Sequence, residues 1–502
     1  MNIARIAPLV SRVPSVARSR TSVSLAAMLS ALVFLAACST DAPMGLTPSA
    51  VSAVRAGDKK VDVCHNPSGE GGNIIGVSIN ALGAHLTHGD YIAGLDVDKQ
   101  NIVGDGVHFT RITDALNAAR ATRRQFQEKM DAACRITITV GPGTFTGAFT
   151  ASTDATLELF PLLLNVPDVT LQGGLRLQIV EGRATRNSLS DADVTTLAPN
   201  RALVNTPKPE TMIIATYTAD GYVGHGATID GFAFASGRPA GSTVNGGFGI
   251  LSMEVTDFVI SNNRFATALT TAIDLRATSA RIERNYAEGL GTSCGFCLGG
   301  PGNVEVTGNT IVNGIRVGIL VIPVVLVPVP AGVVQYVPKP TETITATLTN
   351  NSVTDHTRHV PGFATAVRIV AAGVAGVSHN SVVTLTGNDL LRNSFGVMLD
   401  GGSAGPNVRG DAVVTLNGNT ISQSCRRDLL VSFASPNRAL GASPTAPYLV
   451  NSTYTLSRGG DVTDARTWFD HPAGYGNTLI VDGSPMGNTT PLPVLVPTAP
   501  CS

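Results

Sequence analysis

The stretch Val259-Ile260-Ser261-Asn262-Asn263-Arg264-Phe265 sets a phrase that the chain repeats: a short apolar strand, an asparagine, one more residue, another apolar side chain. It returns as Ile282-Glu283-Arg284-Asn285-Tyr286, Val304-Glu305-Val306-Thr307-Gly308-Asn309-Thr310-Ile311 and Leu348-Thr349-Asn350-Asn351-Ser352-Val353. Leu385-Thr386-Gly387-Asn388-Asp389-Leu390 and Leu416-Asn417-Gly418-Asn419-Thr420-Ile421 follow. The asparagines Asn263, Asn285, Asn309, Asn351, Asn388 and Asn419 stand 22, 24, 42, 37 and 31 residues apart. A period in the low twenties, with short strands and Gly/Asn turns, is the signature of a solenoid whose units bury their apolar face by stacking on neighbours. The longer steps fit either a degenerate coil in between or an insertion.

Asparagine is common in turns, so one or two matches would carry little weight; six carry the pattern. At a sharp bend between strands its side chain tolerates left-handed backbone and bonds local main chain. Stacked coil on coil, such amides form a ladder inside the turn. The expected class is all-β, a right-handed parallel β-helix. Composition agrees: 14 % charged residues and 53 glycines in 502 residues suit stacked strands with tight turns. A formal net charge of −1 points neither to nucleic acid nor to a polybasic membrane surface. With one Trp and eight Tyr, aromatic sugar-binding platforms are few.

Residues 1–37 read as a targeting segment. Arg5, Arg12, Arg18 and Arg20 precede an apolar run from Val23 to Ala37, too short for a comfortable membrane span. The run ends Leu35-Ala36-Ala37-Cys38, which resembles the bacterial lipobox. That resemblance implies cleavage before Cys38, lipidation of its sulfur and a membrane anchor; Ser39 after it implies outer-membrane sorting in a Gram-negative envelope. Residues 38–58 then form a lipidated tether.

Residues 59–96 hold the densest polar constellation: Val63-Cys64-His65-Asn66-Pro67, Val77-Ser78 and Ala84-His85-Leu86-Thr87-His88-Gly89-Asp90. It resembles a short segment that recurs in secreted bacterial proteins. Relatives of that segment commonly carry a second Cys after the Gly-Asp, absent here, which implies pairing of Cys64 with Cys134. Two readings stand. Cys64, His65, His85 and His88 form a zinc set, or a disulfide-stabilised turn uses its histidines on main chain. Six cysteines remain besides Cys38. Cys294-Gly295-Phe296-Cys297 is expected to close as a loop disulfide rather than act as a redox pair, and Cys425 pairs with Cys501.

The helix is expected to occupy residues 97–485. Gly104-Asp105-Gly106, a helical stretch from Thr110 to about Cys134, and Ile136-Thr137-Ile138-Thr139-Val140 with Gly141-Pro142-Gly143-Thr144-Phe145 resemble the entry to pectin-lyase-like β-helices. Pro167-Asp168-Val169-Thr170-Leu171-Gln172-Gly173-Gly174 and Ala227-Thr228-Ile229-Asp230-Gly231-Phe232 resemble early coils of that family. Within the helix, Ile112, Leu116, Ala119 and Phe126 share a face, as a cap over open strand edges requires. An apolar, Pro-rich excursion at about 319–341 interrupts the repeat; it folds over the flank or meets a partner or membrane. Residues 486–502 form a Pro-rich tail.

Each asparagine turn is followed by another strand. Aligned, those strands place bulky apolar residues at position two, hence inward. Positions three and five then face outward: Leu251, Asp274, Cys297, Leu320, Arg368, Met398, Leu430, and Met253, Arg276, Gly299, Ile322, Val370, Asp400, Ser432. The resemblance also implies lyases that cluster acidic calcium ligands on such a face, and inverting hydrolases need two carboxylates roughly 6.5–9.5 Å apart. Asp274 with Arg276 is the best catalytic pair on offer. Two functions follow: an envelope lipoprotein whose β-helix binds or scaffolds, with polysaccharide as ligand, or a polysaccharide lyase or glycosidase of the same fold. A third reading is a metal-binding surface protein acting through residues 64–90.

Overall fold

Strands of three to nine residues with one apolar side cannot be stable singly. A computed structural model shows how they are stacked. It describes residues 60–65, 72–98, 107–126, 134–148, 157–186, 194–199, 211–216, 224–235, 247–266, 269–290, 294–314, 316–323, 341–356, 364–371, 378–402, 408–434 and 448–489. From Thr228 to Ser432, consecutive described strands fall into three different sheets and every third strand returns to the same one. Phe248–Met253, Phe258–Ser261 and Arg264–Phe265 make one coil, and Thr271–Arg276, Ala280–Glu283 and Tyr286–Glu288 lie parallel and in register beside them. Sheet 1 has ten strands, sheet 2 fourteen and sheet 3 nine. The molecule is a right-handed parallel β-helix, the hand that parallel crossovers adopt.

The interior is three apolar columns. Ile250, Ile273, Phe296, Ile319, Val367, Val397 and Leu429 stack on sheet 1. Ile229, Ile260, Ile282, Val306, Leu348, Leu385 and Leu416 stack on sheet 2. Phe265, Ala287, Ile311, Val353, Leu390 and Ile421 stack on sheet 3. All are at most 5 % exposed. Burying an aliphatic side chain of this size is worth about 1.5–3 kcal/mol.

Between sheets 2 and 3 the six asparagines form one continuous ladder. The Asn263 backbone N–H and Nδ2 both donate to Asn285 Oδ1, at 3.0 and 3.1 Å. The same double bond joins Asn285 to Asn309, Asn309 to Asn351, Asn351 to Asn388, and Asn388 to Asn419. Each Nδ2 also reaches a strand carbonyl of the preceding coil, as Asn309 does to Ile282 O at 2.8 Å. The Phe232 N–H donates to Asn263 Oδ1 at one end, and Asp461 Oδ2 accepts both bonds from Asn419 at the other.

Two expectations are refined. Because Asn309 bonds directly to Asn351, the long steps are insertions between adjacent coils, with no hidden coil. The left-handed residue of each turn is the one before the ladder asparagine: Asn262, Arg284, Gly308, Asn350, Gly387 and Gly418, with φ between 52° and 65°. That frees the asparagine side chain to point inward, and it explains the Asn-Asn and Gly-Asn pairs.

The N-terminal end is closed by a separate unit. Strands β1 (Lys60–His65), β2 (Asn73–Ser78) and β3 (Tyr91–Ile92) form an antiparallel sheet, with helix α1 (Ile79–Thr87) against it. Strand β4 (Gly94–Val97) already belongs to sheet 2, so the chain enters the β-helix at Gly94. The disulfide Cys64–Cys134 and the Tyr91 hydroxyl, donating to the Cys134 carbonyl at 2.7 Å, fasten the unit to the first coil. Helix α2 (Ile112–Gln125) buries Ile112, Ala115, Leu116 and Ala119. It ends at Gln125, short of the expected Cys134, and Phe126 at its end packs on Tyr91. Arg111 at its N-terminus gives no side-chain cap; instead Glu158 accepts from Ile112 N at 2.5 Å, Thr113 N at 3.2 Å and Thr113 Oγ1 at 2.9 Å. A carboxylate there meets free N–H groups and the positive end of the helix dipole. Burial nevertheless pushes the Glu158 carboxyl above its ordinary range.

At the apolar excursion, Val317–Ile322 is a regular strand of sheet 1, so the repeat continues to Ile322. Residues 324–340 lie outside the described residues, as do residues 1–59 with Cys38, and 490–502 with Cys501. Cys425 is disulfide-bonded, and so are Cys294 and Cys297 to each other.

Replacing Asn309 by Ala strands the Asn285 N–H inside the turn and removes the Nδ2 donor from Ile282 O, while Asn285 Nδ2 keeps the Ile260 and Glu283 carbonyls. We expect a loss of about 3–5 kcal/mol in denaturant unfolding, against a smaller loss for Asn419→Ala at the more exposed end. A second expectation concerns pH. His356 is buried, with Nδ1 3.0 Å from the Thr354 carbonyl, and burial holds its imidazole down at about 4. The unfolded chain therefore takes up this proton first. Stability is full above about pH 6.5 and falls by about 3 kcal/mol as pH drops from 6.5 to 4. In His356→Gln, that part of the acid limb in equilibrium unfolding flattens.

Candidate functional site

The pair read as catalytic lies on the strand Thr271–Arg276 of sheet 1. Alternation puts Asp274 and Arg276 on the outer side of that sheet, yet neither is at the surface: they are 7 % and 3 % exposed. Arg276 donates to Asp274 Oδ2 through Nε at 3.3 Å and Nη2 at 2.8 Å. Burial pushes the Asp274 carboxyl above its usual range, against the pull of Arg276. In register, Asp274 stands between Leu251 and Cys297, and Arg276 between Met253 and Gly299. No second carboxylate flanks either one in its column, so the pair meets neither the oxygen cluster a calcium ion needs nor the paired acids of an inverting hydrolase. Asp274 and Arg276, read from the sequence as outward-facing and as the best catalytic pair on offer, form a buried ion pair. Arg281, Glu283 and Arg284 nearby in sequence belong to sheet 2 and its turn.

Much of that outer side is also covered, with Cys297, Leu320, Ile322 and Arg368 half-buried. Leu251, Met253, Val370, Met398, Asp400, Leu430 and Ser432 are at most 3 % exposed. Phe395, Met398 and Leu430 form an apolar cluster of their own, with Trp468 against it. Two carboxylates near the C-terminal end went unpaired in the sequence reading. Asp400 binds Arg368 Nε at 2.7 Å and Nη2 at 2.9 Å and accepts the Gly402 N–H. Asp470 accepts the Ser432 hydroxyl at 2.8 Å and the Tyr448 hydroxyl at 3.0 Å. Their strands, Phe395–Asp400 and Thr467–Asp470, flank Arg427–Ser432, so the two acids stand about 9.6 Å apart by strand spacing. Extending the aligned strands to Thr467-Trp468-Phe469-Asp470 would have found the second.

Sheet 2 presents the open face. From Thr341–Thr349 onward one outward column, Thr343, Asn380 and Asp411, carries a charge, Asp411 paired with Arg409, and beside it run three uncharged register columns. They are Thr345, Val382, Val413, Thr455; Thr347, Thr384, Thr415, Ser457; and Thr349, Thr386, Asn417. None of these eleven is buried or charged, and eight carry a hydroxyl. The lattice repeats about every 4.8 Å across strands and about 6.7 Å along them. Toward the N-terminus the same columns turn charged at Arg281, Glu283 and Glu305. The sequence reading missed this face because it followed sheet 1; the T-x-T-x-T of Thr345, Thr347 and Thr349 was the available signal.

In the N-terminal unit the expected zinc set is not assembled. Cys64 is consumed by its disulfide with Cys134, and a disulfide sulfur is no thiolate ligand. His88 caps α1 and is exposed. His65 and His85 do converge, and with them Asp90: all three offer ligand atoms within 4.8 Å of one another.

No family model matches this sequence, and no curated protein matches it. Solved structures similar in fold include the following three. One is an endo-xylogalacturonan hydrolase from Aspergillus tubingensis, at 12 % identity over 73 % of this chain and 88 % of that one, TM-score 0.44. The periplasmic alginate epimerase AlgG matches at 11 %, 69 % and 77 %, TM-score 0.30. The catalytic unit of an alpha-1,3-glucanase from Streptomyces thermodiastaticus matches at 16 %, 75 % and 68 %, TM-score 0.32. Likenesses at this level carry no activity to this chain; the fold rests on the strand register.

If the Asp274–Arg276 pair is internal scaffolding, removing one partner strands the other. Asp274→Ala should cost about 3–5 kcal/mol in unfolding, whereas the double change Asp274→Leu/Arg276→Met should be near neutral. A stable single variant would show that the charge is not held as the structure has it.

Proposed function

We propose that this chain is an envelope lipoprotein, anchored through Cys38, whose β-helix binds an uncharged polysaccharide on the outer face of sheet 2 without cleaving it. The observation that carries the reading is the hydroxyl lattice from Thr345 to Ser457, open and itself uncharged, with the Arg409–Asp411 pair at its edge. Hydroxyls exchange hydrogen bonds with sugar hydroxyls, and threonine methyls pack on the C–H faces of the rings. A flat, in-register sheet suits an extended polymer. Without ion pairs to screen, binding should be insensitive to salt. In this reading residues 38–58 are the lipidated tether left after cleavage before Cys38; no helix among the described residues is long and apolar enough to cross a membrane.

The test is affinity electrophoresis and pull-down with neutral and uronate-rich polysaccharides, using residues 39–502. A neutral polymer should be retained at both low and high salt, and Thr347→Lys/Thr384→Lys should weaken retention at least tenfold with the fold intact. Retention of uronates alone, lost in salt, would sink the proposed face. In cells, Cys38→Ala should release the protein from the membrane fraction.

A second reading is hydrolysis by Asp400 and Asp470, which stand two strands apart in register; it is the weaker one, because both acids are buried and held by hydrogen bonds. New reducing ends that vanish in Asp400→Asn/Asp470→Asn would establish it over binding alone.

A further inference from the structure

We infer that His65, His85 and Asp90 form a zinc site with one open coordination position. The two imidazole Nδ1 atoms each lie 2.8 Å from the same oxygen, Asp90 Oδ2, with the rings edge to face at 5.7 Å. Asp90 is 3 % exposed, and a carboxylate buried to that degree calls for cationic company. Two nitrogens and one oxygen around one point match the borderline donor set zinc prefers, at about 2.0–2.2 Å from each ligand. Tetrahedral ligands at those lengths stand about 3.3 Å apart, so both N···O separations need open by only about half an ångström. The metal takes the Nδ1 lone pairs while the imidazole protons reside on Nε2.

The three ligands come from three anchored places. His65 ends β1, next to Cys64 and its disulfide. His85 sits in the last turn of α1. Asp90 follows the left-handed Gly89, and its N–H donates to the His85 carbonyl at 3.2 Å. The His65 side chain is 47 % exposed, which leaves the fourth position to water or an incoming ligand. The site lies in the N-terminal unit and owes nothing to the polysaccharide reading.

The experiment is equilibrium dialysis of residues 39–502, disulfides intact, against Zn(II), followed by X-ray absorption of the loaded protein. We expect one zinc per chain, with nitrogen and oxygen neighbours and no sulfur. His65→Ala, at an exposed strand end, and His85→Ala should each cut affinity at least tenfold, and Asp90→Asn likewise, while His88→Ala leaves it unchanged. Affinity should fall as pH drops below the histidine range, since the ligands must be deprotonated. Retention of the Cys64–Cys134 bond in each variant shows that the unit is still folded. No zinc uptake, sulfur in the first shell, or binding that survives His65→Ala and His85→Ala would overturn the inference.

Discussion

The structure depends on a shared acceptor. Each ladder asparagine from Asn285 on takes two hydrogen bonds on one Oδ1 from the coil before it, and spends its own amide on the next coil and on a strand carbonyl. From Asn263 to Asn419 every rung asparagine is buried, so no water can substitute between them, and a missing rung would leave several groups unsatisfied at once. The ladder therefore sets which residues of neighbouring coils face each other. Once that register is set between sheets 2 and 3, the apolar columns on all three sheets fall into line. Insertions between coils are tolerated because they leave the turn untouched, which is how steps of 42, 37 and 31 residues coexist with steps of 22 and 24.

A solenoid leaves its ends exposed, and this chain covers one with chemistry from several places. Glu158 reaches back to supply the cap that Arg111 lacks, and Arg123 of α2 pairs with Asp168. A hairpin of Gln178–Val180 and Arg183–Thr185 reaches forward to the turn column, where Arg183 pairs with Asp389 and bonds the Gly387 carbonyl. At the other end, Ser484–Pro485 folds back antiparallel on Thr478–Val481, a short strand with proline at the sheet edge.

The faces differ because each is judged by what stands beside a residue in register. Sheet 1 turns its charged side chains into closed pairs, Asp274 with Arg276 and Arg368 with Asp400. Sheet 2 keeps threonines in the open, where their β-branched side chains suit a pleated surface and one another. The cation-seeking residues sit apart, in the N-terminal unit.

Much of this was legible in the order of residues. The Asn phrase carries the repeat, the position-two residues carry the interior of sheet 1, and the aligned strands carry the columns later seen in register. These are local facts: turn chemistry and two-residue alternation act over a few residues, so they are written in the sequence. Burial of the outer side of sheet 1 was not legible, because alternation says which way a side chain points and not whether something lies over it. The Cys64–Cys134 pairing was implied by the resemblance of the N-terminal segment and is present, but residue order alone left a metal set open beside it, since Cys134 comes within bonding distance only through the packing of the first coil. Asp90 joined His65 and His85 by the same route. Contacts between residues far apart in sequence are decided by how the coils stack, and only the tertiary structure contains that.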